Sequence, residues 1–97
     1  MVDALEDDRV GRFRVTTRTG TRYFLDLDRR LIRREPAFTG SSALMRRDGQ
    51  DIDLVFLRQC RLGAPLVVLI DLHIRGARWT QRTSADVTRI RLARGAS

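Results

Sequence analysis

The sequence predicts an all-β fold: a small, strongly bent barrel or sandwich of six to seven short, mostly antiparallel strands. Three observations carry that expectation. Residues 11–27, GRFRVTTRTGTRYFLDL, read as a β-hairpin whose register is set by its own pattern. Two later runs, IDLVFLRQC from Ile52 to Cys60 and PLVVLIDLHI from Pro65 to Ile74, are short, apolar and rich in β-branched residues. Turn residues separate the runs at close spacing, and no long helix-period segment interrupts them.

In the hairpin, Arg18, Thr19 and Gly20 form a three-residue loop. Such loops commonly pair a type I turn with one left-handed residue, and Gly takes that conformation without steric cost. With Gly20 in that place, Val15 faces Tyr23, Phe13 faces Leu25 and Gly11 faces Leu27. These residues share one apolar face, because side chains alternate along a strand. The other face pairs Thr16 with Arg22, Arg14 with Phe24, and Arg12 with Asp26. A slip of one residue would turn Phe13 and Val15 to solvent, so the register is strongly specified. An isolated hairpin is marginal in water, so further strands must cover its apolar face.

Asp28 suits the start of a type I turn, after which LIRRE, Leu31 to Glu35, runs back as a third strand. Pro36 ends it, because proline offers no N–H to a ladder. Residues 37–51 admit three readings: a short helix near residues 41–47 capped by Ser41 or Ser42, a long loop, or a hairpin turning at Asp48-Gly49. Phe38 and Leu44 are expected to plug an open end of the core. Ile52, Leu54 and Phe56 share one face of the next strand, and Val55 and Leu57 the other. Strands apolar on both faces read as covered on both sides. Gly63 marks the following turn. Ala77 to Arg82, with Trp79, reads as a strand. Asp86 to Ala93 alternates, with Thr88, Ile90 and Leu92 against Val87, Arg89 and Arg91; a helix capped by Ser84 is its rival. The mainly sequential order favours a bent barrel, SH3/Sm-like in type.

Ninety-seven residues make one domain with a modest core. The chain divides into an acidic, flexible N-terminal tail over residues 1–8, one β domain over residues 9–94 and a frayed C-terminus over residues 95–97. The head, MVDALEDD, carries four acids and no base. Its alternative reading is an arm folded over the basic surface. The net charge is +7, and all nineteen basic residues are Arg. With no Lys and no Asn present, GC-rich coding accounts for the choice of Arg but not for the charge excess. A field this basic favours polyanions or acidic partners.

The single cysteine, Cys60, excludes an intramolecular disulfide and reads as a buried thiol in a reducing, cytoplasmic setting. The longest apolar run, Leu66 to Ile70, is too short to cross a bilayer, so no membrane partner is expected. No phosphate loop, nucleophile elbow or Cys pair implies an enzyme or a cofactor. Asp48, Asp51, Asp53, Asp71 and His73 could invite a cation, but the spacing lacks the regular oxygen positions of an EF-hand, and His73 reads better as a hydrogen-bond partner of Asp71.

The basic strand faces carry more weight. Arg12, Arg14, Arg22, Phe24 and Arg33 share the outer hairpin face, and Arg78, Trp79 and Arg82 repeat the mixture. Cations that follow phosphates beside an aromatic ring are how β surfaces hold nucleic acid. The expected function is a small non-enzymatic domain binding DNA or RNA through that face. The alternative is a protein-interaction or homo-oligomerisation module whose surface comprises Val55, Leu57, Val68 and Ile70.

Overall fold

The computed structural model describes residues 2–36, 49–76 and 78–93. Six strands run in chain order: β1 (Arg12–Thr17), β2 (Arg22–Asp26), β3 (Leu31–Glu35), β4 (Ile52–Gln59), β5 (Pro65–Asp71) and β6 (Thr80–Leu92). Each pairs antiparallel with the next, and β6 pairs back onto β1. The result is a closed antiparallel barrel. Among the described residues there is no helix, and so none long and apolar enough to cross a membrane. The helix expected near residues 41–47, the plug by Phe38 and Leu44, and the frayed residues 95–97 lie outside the described residues.

The hairpin forms in the expected register, from Arg12 opposite Asp26 to Thr16 opposite Arg22. Gly20 has a φ of 90°, and its N–H donates to the Thr17 carbonyl at 2.9 Å. Phe13, Val15, Tyr23 and Leu25 all point into the barrel and are buried. The β2–β3 turn differs from expectation in which residue starts it. Asp26, not Asp28, organises it: its Oδ1 accepts the Asp28 and Arg29 N–H groups at 3.1 and 3.0 Å. That hydrogen bonding accounts for Asp26 being buried instead of sharing an exposed charge pair with Arg12. Asp28 instead accepts the Gly11 N–H, which ties the turn to the entry of β1.

In β4 a bulge changes the expected faces. The register shifts between Leu54 and Phe56, so two residues on β4 oppose one on β5. Phe56 is therefore turned out and 44% exposed, while Leu57 goes in. Leu57, Val68 and Ile70, expected on an interaction surface, belong to the core, and only Val55 of that group is half-buried. The two strands expected around residues 77–82 and 86–93 are one long strand, β6. Its first part pairs with β5 and its last part with β1. Register shifts in both ladders let it bend, which closes the barrel.

Residues 2–8 of the head lie against the barrel. Leu5 enters the core at 3% exposure, and its N–H donates to the Cys60 carbonyl at 2.8 Å. Ala4 bridges antiparallel to Arg61. The reason lies in a short ladder: β3 and β4 pair only at Leu31 with Asp53 and Ile32 with Ile52. The rest of β4 would present bare backbone groups. Arg30, left-handed at φ 59°, and Asp7 cover them. The Arg30 carbonyl accepts the Leu54 N–H at 2.9 Å. Its guanidinium donates to the Val55 carbonyl at 3.2 Å and to Asp7 Oδ1 at 2.6 Å. That same carboxylate oxygen accepts the Leu57 N–H at 2.7 Å.

Burial raises the Asp7 carboxyl, but the hydrogen bonds from Arg30 and Leu57 and the Arg30 charge outweigh it. The group is held below its ordinary value. Removing the carboxylate strands a backbone N–H and a guanidinium, so Asp7→Ala is expected to cost about 1–2 kcal/mol by denaturant unfolding. The contribution is full above the ordinary carboxyl value of 3.8 and is lost as the pH falls through the lowered one. Asp7→Asn is expected to lose that part of the acid sensitivity; an unchanged pH profile would remove the role assigned to Asp7. Burial also pushes the Cys60 thiol up to about 12. In the native protein it is expected to resist a thiol reagent until the chain unfolds, and rapid labelling at neutral pH would contradict the packing.

Candidate nucleic-acid interface

Barrel closure decides what stands beside the hairpin. Cα pairing aligns Arg91 with Arg14, Arg14 with Phe24, and Phe24 with Arg33. One row therefore crosses β6, β1, β2 and β3 on the outer face. Adjacent strands lie about 4.8 Å apart, so the row spans about 14 Å. The next outward row holds Arg89, Thr16, Arg22 and Glu35. Arg12 extends the surface along β1. Five expected residues, Arg12, Arg14, Arg22, Phe24 and Arg33, thus share one face. Arg89 and Arg91 join them from the far end of the chain. Their alternation was visible in the sequence, but nothing local to β6 indicates that β1 is its neighbour.

The guanidinium groups differ in their surroundings. Of the ion pairs among the described residues, none takes Arg14, Arg22, Arg89 or Arg91. Those four are exposed. Arg33 is half-buried and lies 3.8 Å from Glu35 and 3.6 Å from Asp51. Its guanidinium also covers the Phe24 ring, 5.1 Å from the centroid. That stacking holds the charge flat against the sheet. The Phe24 face it covers is not open for a base, contrary to the expected stacking role.

The other expected residues lie elsewhere. Arg78 and Trp79 precede β6 at the end remote from Arg89 and Arg91, with the Arg78 guanidinium 5.2 Å from the Trp79 ring centroid. Trp79 is 51% exposed. Arg82 is opposite Val68 and lines, with Tyr23, Ile32, Arg34, Ile52 and Ile70, a cavity of about 10 Å³. It is thus turned toward the barrel interior and does not extend the basic face, because β6 has already alternated inward there.

Carboxylates gather on the opposite side of the barrel. Asp53 and Asp71 are Cα partners on β4 and β5. His73 Nε2 lies 2.7 Å from Asp53 Oδ2, and its Nδ1 lies 3.7 Å from Asp71 Oδ2. The Asp71 Oδ1 also accepts the His73 N–H at 2.8 Å, which supports the left-handed backbone there, φ 55°. His73 thus bonds to both acids, where the sequence pointed to Asp71 alone. Among the described residues no group of three or more His, Cys, Asp or Glu side chains is arranged to hold a metal ion.

Beside the Arg row lies an open groove of about 620 Å³, bounded by Val2, Leu62 and residues 88–92 of β6. Leu62 is 37% and Leu92 56% exposed. No pattern in the sequence points to this groove, because Leu62 and Val2 reach β6 only through the docked head and the turn before β5. Leu62 bridges to Val87, and its N–H donates to the Asp3 carbonyl at 2.9 Å. Compared with known protein families, with curated proteins and with solved structures, the chain matches none of them.

Proposed function

We propose that this barrel is a non-catalytic nucleic-acid-binding domain of the reducing cytoplasm whose working surface is the outer face of β6, β1 and β2. What supports the reading is the set of four exposed guanidinium groups, Arg14, Arg22, Arg89 and Arg91, outside the ion pairs of the described residues. An arginine that serves a sheet structurally gains stability from an acid directly across from it. Here Arg14 opposes Arg91, a like-charge pair that costs stability until an anion neutralises it. A phosphate backbone is a polyanion of that kind, and releasing its counterions drives association. Binding on this basis is salt-dependent and weakly specific, because interactions with phosphate carry no base information.

The test is binding of labelled DNA and RNA across a salt series. Arg14→Ala with Arg91→Ala is expected to weaken binding and to lower the log–log salt slope by about 0.7–0.9 for each phosphate no longer neutralised. Arg78→Ala, remote from the row, serves as the control and is expected to bind as the parent does. Equal affinity of the double variant and the parent would sink the proposal.

A second reading rests on a different face. Phe56 is 44% exposed and stands opposite half-buried Leu69, with half-buried Val67 further along β5. This outer strip of β4 and β5 could pair face to face with a second copy, replacing the surface expected at Leu57, Val68 and Ile70. Light scattering across a concentration series is expected to give a dimer that Phe56→Asp converts to a monomer. A parent that stays monomeric at every concentration removes the reading.

A further inference from the structure

We infer that the groove beside Arg89 and Arg91 receives unpaired bases, so that the ligand of the basic face is a single strand and not a duplex. The inference rests on the nucleic-acid reading above and adds where the bases go. Phosphate binding needs only guanidinium groups, and the row supplies them. It does not account for a groove of about 620 Å³ that begins at the end of that row. Its volume falls within the ~300–1,000 Å³ usual for clefts that bind small ligands.

The lining is mixed in the way a nucleotide requires. Leu62 and Leu92, exposed at 37% and 56%, offer apolar walls. Arg89 and Arg91 belong both to the groove and to the exposed basic face. A strand whose phosphates follow Arg14 and Arg91 therefore has an apolar recess within reach of its bases. A duplex keeps the faces of its bases stacked inside and presents only phosphates, sugars and base edges, so it has no base face to place in the recess. A single strand exposes the faces of its bases, and removing them from water onto apolar walls adds affinity. Phe24 does not compete for this role, because Arg33 already covers its ring. Charge favours the same occupant: a groove edged by two exposed arginines on a chain of net charge +7 suits a polyanion carrying apolar rings.

The experiment compares three labelled ligands of equal length on the unmodified protein: oligo-dT, an abasic strand with the same phosphates, and a duplex. Oligo-dT is expected to bind about tenfold tighter than the abasic strand, roughly the effect of one buried base, with the same salt slope. The duplex is expected to follow the abasic strand. Leu62→Ala with Leu92→Ala trims two exposed side chains and leaves the core intact. It is expected to erase the preference for oligo-dT without changing abasic binding. An oligo-U strand gives the RNA arm, and equal preference there assigns the groove to bases in general. If oligo-dT and the abasic strand bind equally, with a steep salt dependence, the groove is not a base site and the phosphate-binding reading survives. If the preference persists in the double variant, the bases sit elsewhere and the inference fails. If none of the ligands binds at low salt, the nucleic-acid reading itself fails.

Discussion

The barrel depends on how it is closed between β3 and β4. Their ladder is two pairs long, and a strand left bare beyond it would expose donors and acceptors. Asp7 and Arg30 meet that requirement together. One carboxylate oxygen takes the Leu57 N–H and the Arg30 guanidinium, and Arg30 in turn reaches the Val55 carbonyl. The left-handed backbone of Arg30 is what turns its carbonyl toward Leu54. A non-Gly residue in that region is disfavoured on its own, and the hydrogen bonds around it offset the cost. The acidic head is thus a structural element. Its Asp7 charge is engaged by Arg30 on the β3–β4 side, so it does not shield the basic face on β1.

Closure also sorts the surface by charge. Six strands in cyclic order put β4 and β5 across the barrel from β1 and β2. The outer faces of β4 and β5 carry the Asp53–Asp71 pair with His73, while the outer faces of β6, β1 and β2 carry exposed arginines. Exposed arginines stand elsewhere too, Arg58 on β4 among them, but on β1 and β6 Arg14 and Arg91 are direct cross-strand partners. A charge gathered on one face creates a local field that orients an approaching anion. The groove bounded by Leu62 and Leu92 adjoins that face, and Val2 of the acidic head also lines it.

Bulges explain why some strands look apolar on both sides. In β4 the shift between Leu54 and Phe56 inverts the alternation, so Leu54 and Leu57 both enter the core although they are three residues apart. In β6 the shift opposite Thr16 and Thr17 does the same for Val87 and Ile90. Period-two reading fails at such points by construction, because one extra residue reverses every later side chain. Small barrels need these bends, since short strands cannot curve enough without them.

The sequence by itself determined the all-β class, the β1–β2 register, the bounds of β3 and the left-handed Gly20 turn. Each of these is a local matter: alternation, a loop of fixed length and a terminating proline act within a few residues of one another. It also marked Arg12, Arg14, Arg22 and Arg33 as one face, because strand alternation is local too. Tertiary structure alone decided that Asp7 closes the seam, that Leu57, Val68 and Ile70 are core, that Arg82 turns inward, and that Arg89 and Arg91 complete the basic face. All four depend on which distant strand becomes a neighbour and where a bulge falls. Arg14 and Arg91 meet only because β6 bends far enough to pair with both β5 and β1, and that bend is a property of the closed barrel as a whole.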